Sequence, residues 1–267
     1  MKESKTRNRS KPSNLVQTIE RVSLILDILG QSPQGLSVGE LSKKTGFPKG
    51  TTHRLLTSLA YFDHVRQDAK TKTYHLGFKL VELGNRVLSQ LDFRTEAHPF
   101  LIELAERTKE TVNMVILDRS EVLYVDKVDA RQHAGGLRMA SMLGARMPTH
   151  CSAVGKVMLA FLPEERLVEI ISEKGQPRRT ENTITDFEEL KTHLQHIREQ
   201  GYALDDEENE KGVKCLAAPI RDQSGKVIAA ISISVPGIRI RTDTLLTTYK
   251  DQVTETAVNI SKKLGYY

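Results

Sequence analysis

From Asn14 to Leu76 apolar side chains recur every three or four residues in three short runs, and each run is cut by glycine, proline or a polar turn. That spacing restricts the segment to short amphipathic helices sharing one small core, because each helix has a single apolar stripe to bury. The first stripe is Val16, Ile19, Val22, Ile25, Leu26 and Leu29, and Gly30 stops it. Pro33 and Gly35 make residues 31–36 a loop. Ser37 is placed to cap a second helix, with Val38 and Leu41 inward and Gly46 closing it. Phe47 and Pro48 open a third helix that runs to about Tyr61, with Leu55, Leu56, Leu59 and Phe62 as its buried stripe. Two short β-patterns, 65–67 and 73–76, then flank the polar turn 68–72.

Helix, helix, turn, helix, hairpin is the order of a winged helix-turn-helix. A further helix over about 78–90, with Leu80, Leu83, Val87 and Leu88, links this head to the rest. Beyond residue 93 the pattern changes. A helix over 93–110 leads to apolar strands at 111–117 and 122–128, with a third strand near 137–141. Helices follow at 152–161, 164–172 and 187–200, then strands at 215–221 and 227–235 joined by Ser224-Gly225, and a last helix at 243–264. Strands in a meander mixed with helices indicate an α+β fold rather than a doubly wound sheet. The expected domains are a basic arm without fixed structure at 1–13, the winged head at 14–76, a linker helix at 77–91 and a second domain at 92–264.

Charge separates the same two parts. Residues 1–76 carry 13 Lys and Arg against 6 Asp and Glu, whereas the remainder carries 26 against 28, so the net +5 arises wholly in the first quarter. A basic excess of this kind suits a polyanion, since Lys and Arg displace counterions condensed on phosphates. An anionic membrane surface, or a merely solvated face, would suit the charge equally well. No stretch approaches the roughly 20 apolar residues that cross a bilayer, so no membrane partner is expected. Residues 1–11 are polar and basic, unlike a secretory leader, and the two cysteines, Cys151 and Cys215, form no disulfide framework. A cytoplasmic location follows.

With Leu55 inward and 100° per residue, the outward arc of the third helix holds Gly50, His53, Arg54, Thr57 and Tyr61. Arg and His beside Thr and Gly can reach base edges and phosphates in a major groove. Lys49, Thr51 and the first N–H groups of the helix suit a phosphate. Lys70 and Lys72 at the wing tip can reach the neighbouring backbone. The expected DNA-binding residues are therefore Lys49, Gly50, Thr51, His53, Arg54, Thr57, Lys70 and Lys72.

The stretch 36–59, LSVGELSKKTGFPKGTTHRLLTSL, closely resembles the helix-turn-helix of the IclR-type transcriptional regulators. Three further segments resemble that family's second domain: THCSAVGKVMLA at 149–160, REQGYALDDEENEKGVKCLAAPI at 198–220 and VIAAISISVP at 227–236. TENTIT at 180–185 and REQGY look most like the KdgR branch, whose repressors respond to 2-keto-3-deoxygluconate. The resemblance implies a C-terminal GAF-like α/β effector-binding domain and double-stranded operator DNA as partner. It also implies a small organic acid as effector, a homodimer or homotetramer, and a repressor of a catabolic operon for sugar acids. The implied pocket is formed by the loop and helix start at 150–156 and by the last strands. Its residues make physical sense: Ser152, Ala153 and Val154 open a helix whose free N–H groups suit a carboxylate. Ser232 and Ser234 share one strand face, with Cys215 on the paired strand. Asp205 can accept a hydroxyl, and Leu137, Met139 and Leu143 supply an apolar wall beside Met142. Alternating serines also fit an ordinary polar face, Cys215 a small buried hydrophobe, and the acidic run at 205–210 a solvated loop.

An enzyme is not expected. No CxxC, HExxH or GxSxG motif occurs, and VGKV at 154–157 lacks the earlier glycine and the Ser or Thr of a phosphate loop. No cofactor is indicated. His150, Cys151, Asp205 and Cys215 have atoms that suit zinc, which leaves a metal- or thiol-based sensor on the same head as the alternative.

Overall fold

Ser37 shows how tightly local sequence sets the first unit. Its hydroxyl accepts the Glu40 N–H at 3.3 Å while the Glu40 carboxylate accepts the Ser37 N–H at 2.8 Å. This reciprocal cap starts helix α2 (Val38–Thr45), and Gly46 ends it with φ +74°, a left-handed backbone that glycine adopts without strain. The computed structural model describes residues 14–129 and 142–267, and its contacts divide the chain into Met1–Gln90 and Leu91–Tyr267. The basic arm lies outside the described residues.

In the first unit α2 lies between α1 (Gln17–Gly30) and α3 (Lys49–Tyr61). The wing is β1 (Val65–Gln67) paired antiparallel with β2 (Tyr74–Leu76). Leu36 exchanges backbone hydrogen bonds with Tyr74 at 3.0 and 2.8 Å, so the loop before α2 docks on the wing. Ile25, Leu29, Leu36, Leu41, Leu56, Leu59, Val65 and Tyr74 form the core. Two parts of the expected stripes lie outside it. Val16, the N-cap of α1, and Ile19 in its first turn are exposed (62 % and 60 %), so the stripe is buried only further along the helix, at Ile25 and Leu29. Phe62 is 62 % exposed because α3 ends at Tyr61 and Phe62 caps it, so it no longer follows the helical rotation that would bury it. Helix α4 (Lys79–Ser89) closes the unit and has no buried residue.

The second unit is a six-stranded antiparallel sheet in the order β5-β4-β3-β8-β7-β6. The strands are β3 (Thr111–Asp118), β4 (Glu121–Val128), β5 (Arg146–Met147), β6 (Ala203–Asp206), β7 (Val213–Arg221) and β8 (Val227–Pro236). Strands β5 and β6 were not apparent from apolar pattern, the first because it has two residues and the second because half of it is acidic. The expected strand at 137–141 lies outside the described residues. Helices α5 (Asp92–Thr108) and α9 (Thr242–Lys263) cover one sheet face. Helix α6 (Ala153–Ala160) lies on the other, under α7 (Glu164–Lys174) and α8 (Phe187–Gln200).

Pairing fixes the two faces, because side chains alternate along a strand. Val112, Met114, Ile231, Ile233, Val235, Leu216 and Ala218 lie toward α5 and α9 and are all apolar. Toward α6 lie Thr111, Asn113, Ser232, Ser234, Cys215 and Asp205, followed by Val115, Ala217 and Ala230. The first face is thus a largely apolar core, broken by the buried Asp126 opposite Met114, which pairs with Arg94 and His98 of α5; the other has a polar half on the α6 side.

Candidate DNA-reading face and effector site

On α3 the buried side is Thr52, Leu56 and Leu59. Lys49, Gly50, His53, Arg54 and Thr57 are exposed on the opposite side, and Thr51 is half-buried between them. The Thr57 hydroxyl donates to the His53 carbonyl at 3.0 Å and the Ser58 hydroxyl to the Arg54 carbonyl at 3.0 Å. Their protons are therefore spent on the helix, and only acceptor lone pairs face outward. At the wing tip the Asp68 carboxylate accepts the N–H groups of Lys70 and Thr71, each at 2.8 Å, which holds its pKa below the usual carboxylate range. Lys72 takes φ +58° and donates its N–H to the Asp68 carbonyl. This turn presents the exposed Lys70 and Lys72 on a backbone that is already braced.

The second candidate site is made mostly of buried residues. Ser152 caps α6: its hydroxyl accepts the Gly155 N–H at 3.2 Å and donates to the Pro148 carbonyl at 2.8 Å. The Lys156 N–H goes to the Ser152 carbonyl. Of the donors at this helix start, those of Ala153 and Val154 have no acceptor among the described residues, and both residues are buried. Gly155 lies against Thr149: a Cβ there would sit 2.4 Å from the Thr149 carbonyl oxygen, so this glycine serves close packing rather than a phosphate.

Opposite the helix start, Asp205 pairs in register with Cys215, and Cys215 with Ser234. The Cys215 thiol donates to the Ser234 hydroxyl at 3.2 Å. Asp205 Oδ1 accepts the N–H groups of Glu208 at 2.7 Å and Asn209 at 3.3 Å, so the acidic run is a turn folded onto its own buried first residue rather than a solvated loop. Burial, then the Glu208 carboxylate, push Asp205 up to about 7, against the pull of Lys156 and the two N–H donors. Residues 180–185 strap that turn. Thr180 and Thr183 hydroxyls donate to the Glu207 and Glu208 carbonyls at 2.7 Å, and Asn182 Nδ2 to the Asp206 carbonyl at 2.9 Å. Leu143 is about half exposed (49 %), in the turn whose Gly144 N–H reaches the Tyr124 carbonyl. Leu137 and Met139 lie outside the described residues.

Five participants were not singled out from sequence: Lys156, Glu208, His193, Asn113 and Tyr124. Lys156 is completely buried, ion-paired with Glu208, and its Nζ lies 3.3 Å from His193 Nε2. Burial and the Lys156 cation push that imidazole down to about 4, so it is the neutral acceptor. Asn113 is buried on β3 and donates from Nδ2 to the Ser234 hydroxyl at 3.2 Å. Tyr124 is buried on the same sheet face, with its phenol pushed upward by burial. The signal available for Lys156 and Asn113 is a lone polar residue inside an apolar run, in SAVGKVMLA and TVNMVIL.

For the metal-sensor alternative, no three His, Cys, Asp or Glu side chains gather as a ligand set among the described residues. His150 instead faces the Pro177 carbonyl at 3.2 Å, and the Cys151 thiol faces Asn209 Oδ1 at 3.7 Å. A thiol sensor needs accessible thiolate. Burial pushes the Cys151 thiol up to about 12 and the Cys215 thiol upward as well, which disfavours the thiolate form of both. No helix among the described residues is long and apolar enough to cross a membrane.

Known proteins share both parts. Residues 18–69 match the IclR helix-turn-helix domain and residues 85–262 the C-terminal domain of the bacterial transcriptional regulator IclR. The chain is 36 % identical over 252 residues to the HTH-type transcriptional regulator XynR of Escherichia coli K12, covering 94 % of this chain and 98 % of that one. It is also 36 % identical over 257 residues to the HTH-type transcriptional regulator KdgR of Dickeya chrysanthemi, covering 96 % and 83 %. The crystal structure of Thermotoga maritima IclR superposes with a TM-score of 0.79 at 35 % identity, covering 94 % of this chain and 99 % of that one. An IclR homologue from Microbacterium hydrocarbonoxydans, solved in complex with 4-hydroxybenzoate, superposes at 0.78 with 26 % identity, covering 92 % and 98 %.

Proposed function

The chain belongs to the IclR family of bacterial transcriptional regulators, with a helix-turn-helix DNA-binding domain and a C-terminal effector domain, and on that premise we propose that it is a repressor of a catabolic operon released from its operator by a small carboxylate. Relatives of this kind are named regulators and repressors, not enzymes. The observation that carries the reading is the start of α6, where Ala153 and Val154 are buried on a helix that packs against the strands carrying the buried Asp205, Ser232 and Ser234 and the partly buried Cys215. Two N–H donors at the positive end of a helix favour an anion, and the hydroxyls and carboxyl beyond them suit a polyol chain. A keto-deoxy sugar acid such as 2-keto-3-deoxygluconate has both parts. The complex of a structural neighbour with 4-hydroxybenzoate, also a carboxylate, supports an acid as the class.

The operator side of the proposal rests on the exposed face of α3 and the braced wing tip: Lys49, Gly50, Thr51, His53, Arg54, Thr57, Lys70 and Lys72 meet duplex DNA. Two-fold operators require paired heads, and the head has an apolar surface to pair through. Val16, Ile19 and Leu24 on the α1 side, and Phe78, Val81, Leu83 and Val87 on the α4 side, are exposed. A homodimer, or a homotetramer built from two, covers them. An effector that binds the DNA-incompetent state 100-fold more tightly shifts the balance by about 2.7 kcal/mol, enough to empty an operator.

The test uses the whole chain. Duplexes selected from fragments of the source genome give the operator by fluorescence anisotropy, and calorimetry measures 2-keto-3-deoxygluconate, pyruvate and glyoxylate. The expected result is saturable binding of at least one acid, release of the operator by it, and a dimer or tetramer by light scattering. Ser234→Leu fills the site and abolishes acid binding while leaving operator affinity unchanged. Acid binding undiminished in Ser234→Leu refutes the location of the site.

A further inference from the structure

Among the described residues, two buried side-chain atoms lack a hydrogen-bond partner: Asn113 Oδ1 and Glu208 Oε2. Glu208 already has its ion pair with Lys156. Asn113 has no such compensation. It lies in the middle of β3, 1 % exposed, flanked in sequence by Val112 and Met114. Register places it opposite Ser232 and on the α6 side of the sheet, and its Nδ2 reaches the Ser234 hydroxyl, which also takes the Cys215 thiol proton. The amide is thereby oriented within the polar row, with one of its two polar ends left over. That holds whichever end faces Ser234, because a single hydroxyl cannot serve both. A primary amide in a strand interior, with half its capacity unused, is costly to fold around unless something it binds repays the loss.

We propose that Asn113 is a specificity-determining residue of the effector site, whose free amide end pairs with a hydroxyl on the chain of the bound acid. This rests on the reading of the α6 start and the Ser232–Ser234 row as that site. A hydroxyl both donates and accepts, so it satisfies either end of the amide. An alkyl chain of the same length satisfies neither and leaves the amide buried and unpaired. Sites built around a buried hydrogen-bonding group reject analogues that lack the partner far more strongly than apolar pockets reject an extra methylene. The effector class is therefore a hydroxylated acid, distinguished from a plain keto acid at Asn113 and not at the carboxylate end.

A matched pair of six-carbon 2-keto acids tests this: 2-keto-3-deoxygluconate has hydroxyls on its chain and 2-oxohexanoate has none. Calorimetry on the full-length parent should give the hydroxylated acid at least 100-fold tighter binding. Asn113→Leu should weaken that acid at least 10-fold and leave 2-oxohexanoate unchanged or tighter, so that discrimination collapses. A measurement on the parent alone guards against a misfolded variant: the side-chain amide resonances of 15N-labelled Asn113 should shift on adding the hydroxylated acid and stay in place with 2-oxohexanoate. Equal binding of the two acids by the parent, binding of neither, or an Asn113→Leu variant that discriminates like the parent overturns the proposal. The site reading fails separately, if Ser234→Leu still binds whichever acid the parent binds.

Discussion

The two units of this chain place the polar side chains of their proposed sites in opposite environments. On the head, His53, Arg54, Thr57, Lys70 and Lys72 are exposed on an element whose other side is a small apolar core. In the second unit Asn113, Asp205, Ser232 and Ser234 are buried on one face of a sheet. Water and salt screen the first set, so each residue contributes little to folding and is free to be chosen for what it touches outside. The second set is shielded, so each polar atom must be satisfied by the protein or by a ligand, and an error in one is felt in stability as well as in binding. A reading head can be altered one residue at a time; a sensing pocket is altered only with its supports.

The sharpest test of that contrast is Lys156. Replacing it with Met leaves Glu208 buried without its cation, which should destabilise the second unit by about 3–5 kcal/mol, while Lys156→Met with Glu208→Leu recovers most of the loss. Urea unfolding followed by circular dichroism, with hydrogen exchange to assign the transition to residues beyond Leu91, reads this out. A single variant as stable as the parent would remove the claim that buried polar groups here are tightly constrained.

Arg54→Ala makes the opposite case. It should cost about 1–3 kcal/mol in specific operator binding if Arg54 pairs with a base, with no change in the urea midpoint. Anisotropy at moderate salt checks the first part, and unchanged affinity sinks the assignment of α3 as the reading helix.

Asp205 predicts a pH dependence. Its folded pKa, about 7, lies above its ordinary 3.8, so the native state holds the proton more tightly. The stability that this group confers is present at low pH and is lost between about pH 4 and 7, at up to about 1.4 kcal/mol per pH unit. A bound carboxylate nearby strengthens the hold on the proton, so acid binding should weaken as pH rises through 7, by up to about tenfold per unit. Asp205→Asn should flatten that profile. Calorimetry in two buffers of different ionisation enthalpy detects the proton uptake, and its absence would place the ligand carboxylate away from Asp205.

The smallest effect is at the wing. Lys70→Ala should weaken binding to all duplexes alike and make the salt slope shallower by about one. A sequence-dependent loss would instead give Lys70 a base contact.

The head was legible almost residue by residue. The Ser37 cap, the Gly46 stop and the stripe through Leu41, Leu56 and Leu59 follow from spacing alone, since each depends on neighbours within one or two helical turns. Spacing misplaced Val16, Ile19 and Phe62, which look inward on a helical wheel but have nothing of their own chain to face. In the second unit, sequence pattern together with the family resemblance singled out Ser152, Asp205, Cys215, Ser232 and Ser234, and the apolar runs marked β3, β4, β7 and β8. The partners of Asn113, Lys156, His193, Tyr124 and Glu208 became visible only in three dimensions, although a lone polar residue in an apolar run marks Asn113 and Lys156 in the sequence. Period-two alternation says that a strand has two faces but not which neighbour covers each, and the partners involved lie far apart in sequence. Asn113 and Ser234 are 121 residues apart, and Lys156 and Glu208 are 52 apart. Sequence by itself determined the order of elements and the charge of the head; tertiary structure alone decided which buried polar groups are paired and that one end of the Asn113 amide is left over, because those pairings join residues far apart in the chain.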